Sequence, residues 1–311
     1  IDKMKYLPFL DGKYSTAPGL HAMSRPGETD QLIFQIDCEY HQHIENKNQC
    51  RREEIGKYYL ENNFYDQTAS AVNQFIVAQL VKEHPQLFLL SNNNNVYTLE
   101  NKKLRETIHW KADWKTVSDN TYTSLFDALC SQVQEDMAVC QIQGEQDWLA
   151  AIHLSAPNHW APADKIGRPF GTVHGEVPGM EKLNQQYFKM LLTVIQKGPF
   201  SRFAWGISTD SRLNHHPIPP HGVGAKEWHG RSIGDGEGKI YVRVEHQTLV
   251  GIPGCEAFLF TIRTYFYEIA ELTAVEKNAL MNAVDSMSPQ SLEYKGLTGK
   301  VELLRKKLLA G

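Results

Sequence analysis

Residues 239–269 read KIYVRVEHQTLVGIPGCEAFLFTIRTYFYEI, two runs rich in β-branched and aromatic residues parted by Pro253-Gly254. Such residues favour extended backbone and the Pro-Gly pair marks a turn, so the stretch predicts two consecutive strands. In the first run Tyr241, Arg243 and Glu245 alternate with Val242 and Val244. Successive strand residues point to opposite faces, so the charged side chains can be aimed into a cavity while the valines anchor the strand in a core.

On the C-terminal side, Thr273 to Ser286 predicts a helix with Thr273 as N-cap and Glu276 at its third position, a capping box. On the N-terminal side, Phe200 to Gly238 holds Trp205, the adjacent His215 and His216, three prolines and a GDGEG cluster. That composition predicts an irregular binding loop or lid, with both histidines on a mobile segment. Further upstream, Met180 to Gln196 reads as a helix, LAAIHLSA at 149–156 as a strand, and Ser124 to Val139 as an amphipathic helix. Glu135 and Asp136 then sit late in that helix, solvated or structural. SNNNNVYTLENKKLRE, 91–106, is turn chemistry followed by an alternating strand, which puts Asn92 to Asn95 on a surface loop. Thr68 to His84 spaces Ala71, Phe75, Ile76, Leu80 and Val81 helically, with Pro85 as the stop. Glu39 to Asn63 reads as a polar helix with a wet outer face, and LIFQID at 32–37 as a short strand. Strands and helices in this order make an α+β chain without internal repeats.

The 311 residues, 41% hydrophobic and 22% charged, can bury a core without disulfides or a structural metal. Lys and Arg total 32 against 36 Asp and Glu, a formal charge of −4, which argues against nucleic acid and anionic membrane as partners. No apolar run approaches the roughly 20 residues of a membrane span, and the opening IDKMKYLPFLDGKY lacks a signal peptide's apolar stretch. The five cysteines are scattered and never form C-x-x-C, which favours a reducing compartment, the cytoplasm, and removes a thiolate zinc site and covalent haem attachment.

No G-x-S-x-G elbow, phosphate loop, H-E-x-x-H or G-x-G-x-x-G fingerprint occurs. Thirteen histidines are the chemical surplus. His215, His216, His221 and His229 match no standard metal spacing, and a helix would splay His41 from His43. More informative is APNHWAPADKIGRPFGTVHGEVPG, 156–179, which sets His174 between a Gly-rich approach and a rigid V-P-G exit, with Lys165 and Arg168 upstream. Small residues beside a histidine let a flat ligand approach the backbone, and the two cations could pair with propionate carboxylates. The alternative is a histidine that caps a turn.

Five stretches together carry a resemblance. PFLDGKYSTAPGL, IFQIDCEYHQHIENKNQCRR, LCSQVQEDMAV, the HW-x-P-x-x-K-x-G-x-x-x-x-x-V-H-G-x-V-P-G segment and VRVEHQTLVGIPGCEAFLFTIRTY resemble, in this order, the haem alpha subunit of the haem-dependent oxidative N-demethylases, or dimethylamine monooxygenases. The resemblance covers roughly residues 6 to 270. It implies a PAS-like antiparallel sheet core with surrounding helices and haem b within one domain over 1–311, an N-terminal helical extension to about 148 and C-terminal helices from about 273. It also implies O2 activation at the iron, oxidation of a methyl group on a small amine with formaldehyde release, and electrons from NADPH through a separate flavin and iron–sulfur reductase. By that resemblance His174 is the iron's axial ligand, Lys165 and Arg168 are haem-binding, and Arg202, Arg243 and Glu245 are the catalytic candidates on the distal side. A guanidinium can donate hydrogen bonds to dioxygen, and a carboxylate can bind an ammonium group or relay protons. The competing expectation for Arg243 and Glu245 is a buried ion pair that orders the sheet. Trp160 and Trp205 are expected as core or pocket walls.

The chain departs from the family pattern twice, with Arg202-Phe203-Ala204-Trp205 where R-x-N-W is expected and Glu245-His246-Gln247 where E-R-Q is expected. Both departures bear on the pocket and hence on the substrate. A haem or O2 sensor without catalysis and a haem-free small-molecule binder are the other readings. No recognisable output module such as a kinase or DNA-binding motif occurs in this sequence.

Overall fold

The computed structural model describes residues 4–23, 31–118, 120–173, 186–229, 233 and 238–310. In chain order these give β1 (His21–Ala22), α1 (Tyr40–Glu54), β2 (Tyr59–Glu61), α2 (Asp66–Glu83), β3 (Phe88–Asn93), β4 (Val96–Asn101) and β5 (Glu106–Lys111). There follow α3 (Leu125–Cys130), β6 (Asp136–Gln143), β7 (Gln146–His153), α4 (Phe170–Val173), α5 (Tyr187–Lys197) and β8 (Phe200–Ser208). The chain closes with α6 (Ala225–His229), β9 (Tyr241–Gly251), β10 (Ala257–Glu268), α7 (Ala274–Asp285), α8 (Pro289–Tyr294) and α9 (Val301–Ala310).

The fold is α+β, built on a seven-stranded antiparallel sheet of order β1-β8-β9-β10-β6-β7-β2 with a separate three-stranded meander β3-β4-β5. The predicted hairpin lies near its middle: β9 and β10 pair from Tyr241–Glu268 to Gly251–Phe258. Alternation then assigns the two faces. Val242 and Val244 pack with Tyr265, Tyr267 and the α7 residues Leu280, Ala283 and Val284. Met137, Val139, Val250 and Leu259 on that same face join the core formed with α1, α2 and α3. Each such side chain contributes about 1.5–3 kcal/mol by leaving water. On the other face Cys140, Leu249 and Phe258 pack under α5. Gly251 permits this, because a Cβ there would run into the Ile195 carbonyl.

Three expectations are corrected. Residues 32–37 form no strand; Ile33 and Phe34 give their N–H groups to the Glu83 carboxylate, at 2.8 and 3.0 Å, and Gln35 to Glu135 at 2.8 Å. Arg263 clasps the end of that segment through Asp37, at 3.0 and 3.1 Å. The helix expected over 124–139 stops at Cys130, and the chain re-enters as β6, buried at every residue from Asp136 to Ile142. The helix expected from Glu39 ends at Glu54, and Tyr59–Glu61 turns into an edge strand on β7. The helix over 68–84, the strand over 149–156 and the Thr273/Glu276 capping box take the predicted form within a residue or three. The stretch before 148, expected as a helical extension, also supplies β1, β2, β6 and the whole β3-β4-β5 meander. Among the described residues no helix is long and apolar enough to cross a membrane.

Candidate functional site

The face of the sheet turned away from α7 floors a cavity. Register places Arg202, Ala204 and Gly206 of β8 beside Gln247, Glu245 and Arg243 of β9, and Phe258, Phe260 and Ile262 of β10 beside Cys140, Ala138 and Asp136 of β6. These residues, with Leu149 and Ile152 of β7, line one pocket. The floor is therefore charged on its β8–β9 half and apolar on its β10–β6–β7 half. Trp160, Lys165, Arg168, Phe170 and Val173 roof the apolar half from the loop after β7, and Tyr14, Tyr294 and Lys295 close the charged half from the two ends of the chain.

Each predicted site residue can now be placed. Lys165, Arg168, Arg202, Arg243 and Glu245 all line this cavity. His174 lies outside the described residues, as do 180–185 of the helix expected from Met180; α5 starts at Tyr187. Val173, immediately before His174, is the last residue of α4 and lines the cavity. That short helix is tethered by Asp147, whose carboxylate accepts from the Phe170 N–H at 2.7 Å and from the Tyr187 hydroxyl at 3.2 Å. Lys165 stacks its ammonium 3.9 Å above the Trp160 ring. Trp160 is thus a pocket wall, and Trp205 is buried against Phe9 and Tyr14.

Arg243 is buried, with both terminal nitrogens bonded and its Nε without a partner. Nη2 donates to the Ala156 carbonyl at 2.7 Å, to Thr264 at 3.4 Å and to Glu245 at 3.5 Å, while Nη1 reaches the Leu213 carbonyl at 3.4 Å. Nη1 also lies 3.3 Å from His215 Nδ1, and His215 Nε2 lies 2.9 Å from Asp210. A guanidinium only donates, so Nδ1 must accept and Nε2 must carry the proton given to Asp210. Burial holds the His215 pKa below its ordinary value, consistent with that neutral tautomer. His215 and His216 are buried in a packed segment, correcting the mobile-loop expectation, because His215 bonds through its backbone to Pro157 and His159. Among the described residues no His, Cys, Asp or Glu cluster could hold a metal ion.

Glu245 is the smaller partner of the pair. Its second oxygen accepts from Gln247 Nε2 at 2.9 Å, and its side chain remains 17% exposed to the cavity. Asp136, the other carboxylate of the lining, is consumed by structure: it accepts from the Ser155 N–H and hydroxyl at 2.8 and 2.7 Å and from the Ala156 N–H at 2.7 Å. It and Glu135 are buried and structural rather than solvated.

Sequence reasoning missed Lys295, Tyr14 and Tyr294. Lys295 reaches the cavity where Gly206 leaves room, its Nζ being 3.9 Å from where a Cβ at Gly206 would stand. Burial lowers its pKa, and burial likewise lowers that of Arg202, whose Nε is shielded from water without a hydrogen-bond partner. Burial also pushes the Tyr14 phenol up to about 12. No local signal marked these residues, since they stand almost 300 positions apart and meet only in the fold. Of the two departures, Ala204 lines the cavity, whereas His246 points to the opposite face, stacked on Tyr6 and packed against Phe203.

A family model described as haem-dependent oxidative N-demethylase, alpha subunit-like, matches residues 26–302, and the chain belongs to that family.

Proposed function

From this membership we propose that the chain is the haem-carrying subunit of an oxygenase that removes a methyl group from a small amine. The observation that carries the reading is convergence: five site residues named from sequence, together with Val173 beside His174, line one cavity. The residues present fit haem b. A flat apolar macrocycle suits the floor of Ala138, Ile152, Phe258, Phe260 and Ile262, and its propionates suit the cations Lys165 and Arg168 at the roof. His174, the next residue in sequence after α4, would hold the haem iron in this reading, and Asp147 anchors α4 itself.

When bound, haem supplies the oxygen-activating redox chemistry. In the overall reaction one methyl C–H becomes C–OH with one oxygen atom of O2. The other atom leaves as water with two electrons from NADPH and two protons, and the hydroxymethylamine then splits into formaldehyde and the shortened amine. A separate flavin and iron–sulfur reductase is the source of those electrons. The protein's own part is positioning. Glu245 receives the substrate ammonium; Arg243, fixed by the Ala156 and Leu213 carbonyls, and Gln247 hold the Glu245 carboxylate toward the cavity. Arg202 offers donors to a developing anion. The reading places the protein in the cytoplasm, where its five free thiols persist.

The test is a visible spectrum, oxidised and dithionite-reduced, of protein expressed with haem precursor. The reading requires a Soret band, its shift or loss in His174→Ala with the fold intact, and formaldehyde from secondary or tertiary methylamines with NADPH and reductase. A missing Soret band after reconstitution would sink it; haem and O2 binding without product from any amine would favour the sensor.

A further inference from the structure

Five cationic side chains, Lys165, Arg168, Arg202, Arg243 and Lys295, line the cavity against two carboxylates, Asp136 and Glu245. Asp136 is spent on the backbone of Ser155 and Ala156, and Glu245 is already shared by Arg243 and Gln247. The proposed reading assigns Lys165 and Arg168 to the haem propionates. Lys295 is then left over, and Arg202, whose donors that reading turns to a developing anion, has no anionic partner before the reaction. Neither side chain makes a hydrogen bond or ion pair among the described residues, and the Arg202 Nε is both water-excluded and unpartnered. The Arg243 Nε is likewise unpartnered, but its terminal nitrogens, unlike those of Arg202, meet acceptors on three sides.

Burial disfavours the charges of both Arg202 and Lys295, and the one carboxylate that attracts them, Glu245, is already shared with Arg243, so the cations outnumber the anion and a ligand can supply the missing charge. They also form a poor site for a bare alkylammonium, since Glu245 alone faces three positive groups: Arg202, Arg243 and Lys295. The three are close enough to act on one small molecule. Arg202 sits opposite Gln247, one diagonal step from Glu245 on the same face, which in a sheet is about 7–8 Å between Cα atoms and within reach of a long side chain. Lys295 lies over Gly206, four residues from Arg202 along β8, with its ammonium 5.8 and 5.4 Å from the ring centres of Tyr14 and Tyr294.

We infer that the substrate carries a carboxylate as well as its methylated nitrogen, with Arg202 and Lys295 binding the carboxylate and Glu245 the ammonium, so that the substrate class is a small N-methylated amino acid. Ala204 and Gly206, the two smallest side chains on this stretch of floor, leave the space between the charges open. The methyl group lost is one on the nitrogen, and the balance of the reaction is as written above, with the amino acid carrying one N-methyl group fewer as product. This inference rests on that reading for the role of the remaining cations.

The experiment compares N,N-dimethylglycine with N,N-dimethylethylamine, which replaces the carboxylate by a methyl group, on the purified holoprotein by calorimetry and by the shift of the Soret band. A hydrogen-bonded charged contact corresponds to about tenfold or more in affinity, so dimethylglycine should bind at least that much more tightly. Arg202→Gln and Lys295→Met should each lose about tenfold for dimethylglycine and leave the amine unchanged or tighter. Lys295→Met should also keep or raise the thermal midpoint, because it deletes a charge that burial disfavours and that makes no ion pair among the described residues. Equal wild-type affinity for the two ligands, with the Soret band present, overturns the inference and leaves the parent reading standing. Loss of haem from both variants together with equal ligand affinities gives these cations to the propionates and also overturns it. If no haem binds but dimethylglycine still does, in an Arg202-dependent way, the oxygenase reading falls and the carboxylate site stands.

Discussion

Replacing Glu245 by Gln separates a binding role from a structural one, and the geometry sets different magnitudes for the two members of the pair. Arg243 is held by the Ala156 carbonyl at 2.7 Å and by Leu213, Thr264 and His215, whereas its contact with Glu245 is 3.5 Å and off the short range of a strong charged hydrogen bond. Gln keeps the shape of Glu245 and can still accept from Gln247. Its loss of charge should cost about 1 kcal/mol, as for a partly exposed pair of poor geometry. Arg243→Met strips the Ala156 and Leu213 carbonyls of their donor and removes the one cation within ion-pair distance of Glu245 among the described residues, and should cost about 3–5 kcal/mol. For a chain of this length one kcal/mol moves the thermal midpoint by about 2 °C, so the variants should differ by several degrees. Calorimetric midpoints and amine-induced spectral shifts are measured on the same preparations. Glu245→Gln should melt near wild type and bind the amine at least tenfold more weakly. A midpoint as low as that of Arg243→Met, with the amine response intact, would refute the ammonium-binding role and make Glu245 a structural partner only.

Two further outcomes follow from the packing. Burial pushes the Glu135 carboxyl up to about 7 from its ordinary 4.5. The folded state therefore holds a proton that the unfolded chain has released between those values. The corresponding stability, about 3 kcal/mol, is present below pH 4.5 and lost as pH rises through 7. Glu135→Gln should flatten this part of the urea stability–pH profile, and parallel profiles for variant and wild type would exclude the effect. Gly251→Ala should force α5 away from β9 at the Ile195 carbonyl, costing about 1–3 kcal/mol and loosening the roof of the cavity; a midpoint within 1 °C of wild type would show that the helix shifts freely.

The hairpin at 239–269 was legible because one face of β9 meets the valine-rich core and the other a cavity, which imprints a period of two on the sequence. β6 was misread as helix for the converse reason. Buried on both faces from Asp136 to Ile142, it has no polar alternation, and a short apolar run of that kind does not distinguish strand from helix. β8 was hidden in a stretch expected to be irregular, since SRFAWGIS mixes Arg, Ala and Gly. Its extended form is set by nine consecutive pairings with β9 rather than by local propensity. Residues 32–37 have strand composition but find their backbone partners in side chains 49 to 100 residues away, which no local pattern encodes.

The candidate site divides along the same line. Lys165, Arg168, Arg202, Arg243 and Glu245 could be named because they lie in segments that resemble a family, and their convergence on one cavity is what a shared site requires. Resemblance alone weighed the departures at 204 and 246 equally. Alternation separates them: Ala204 and Glu245 are register partners on the cavity face, while His246 and Phe203 are partners on the helix-packed face. A change at 246 therefore reaches the cavity only through the core, by shifting Tyr6 and Phe203, whereas a change at 204 acts on the space above Glu245 directly. The consequence is asymmetric. His246→Arg should be felt first in stability, because it buries a new charge against two aromatic rings. Ala204→Asn should be felt first in ligand affinity, because it fills the gap between the ammonium-facing carboxylate and the Arg202–Lys295 pair. Stability loss from the second and unchanged melting in the first would invert the assignment of faces on which the whole site depends.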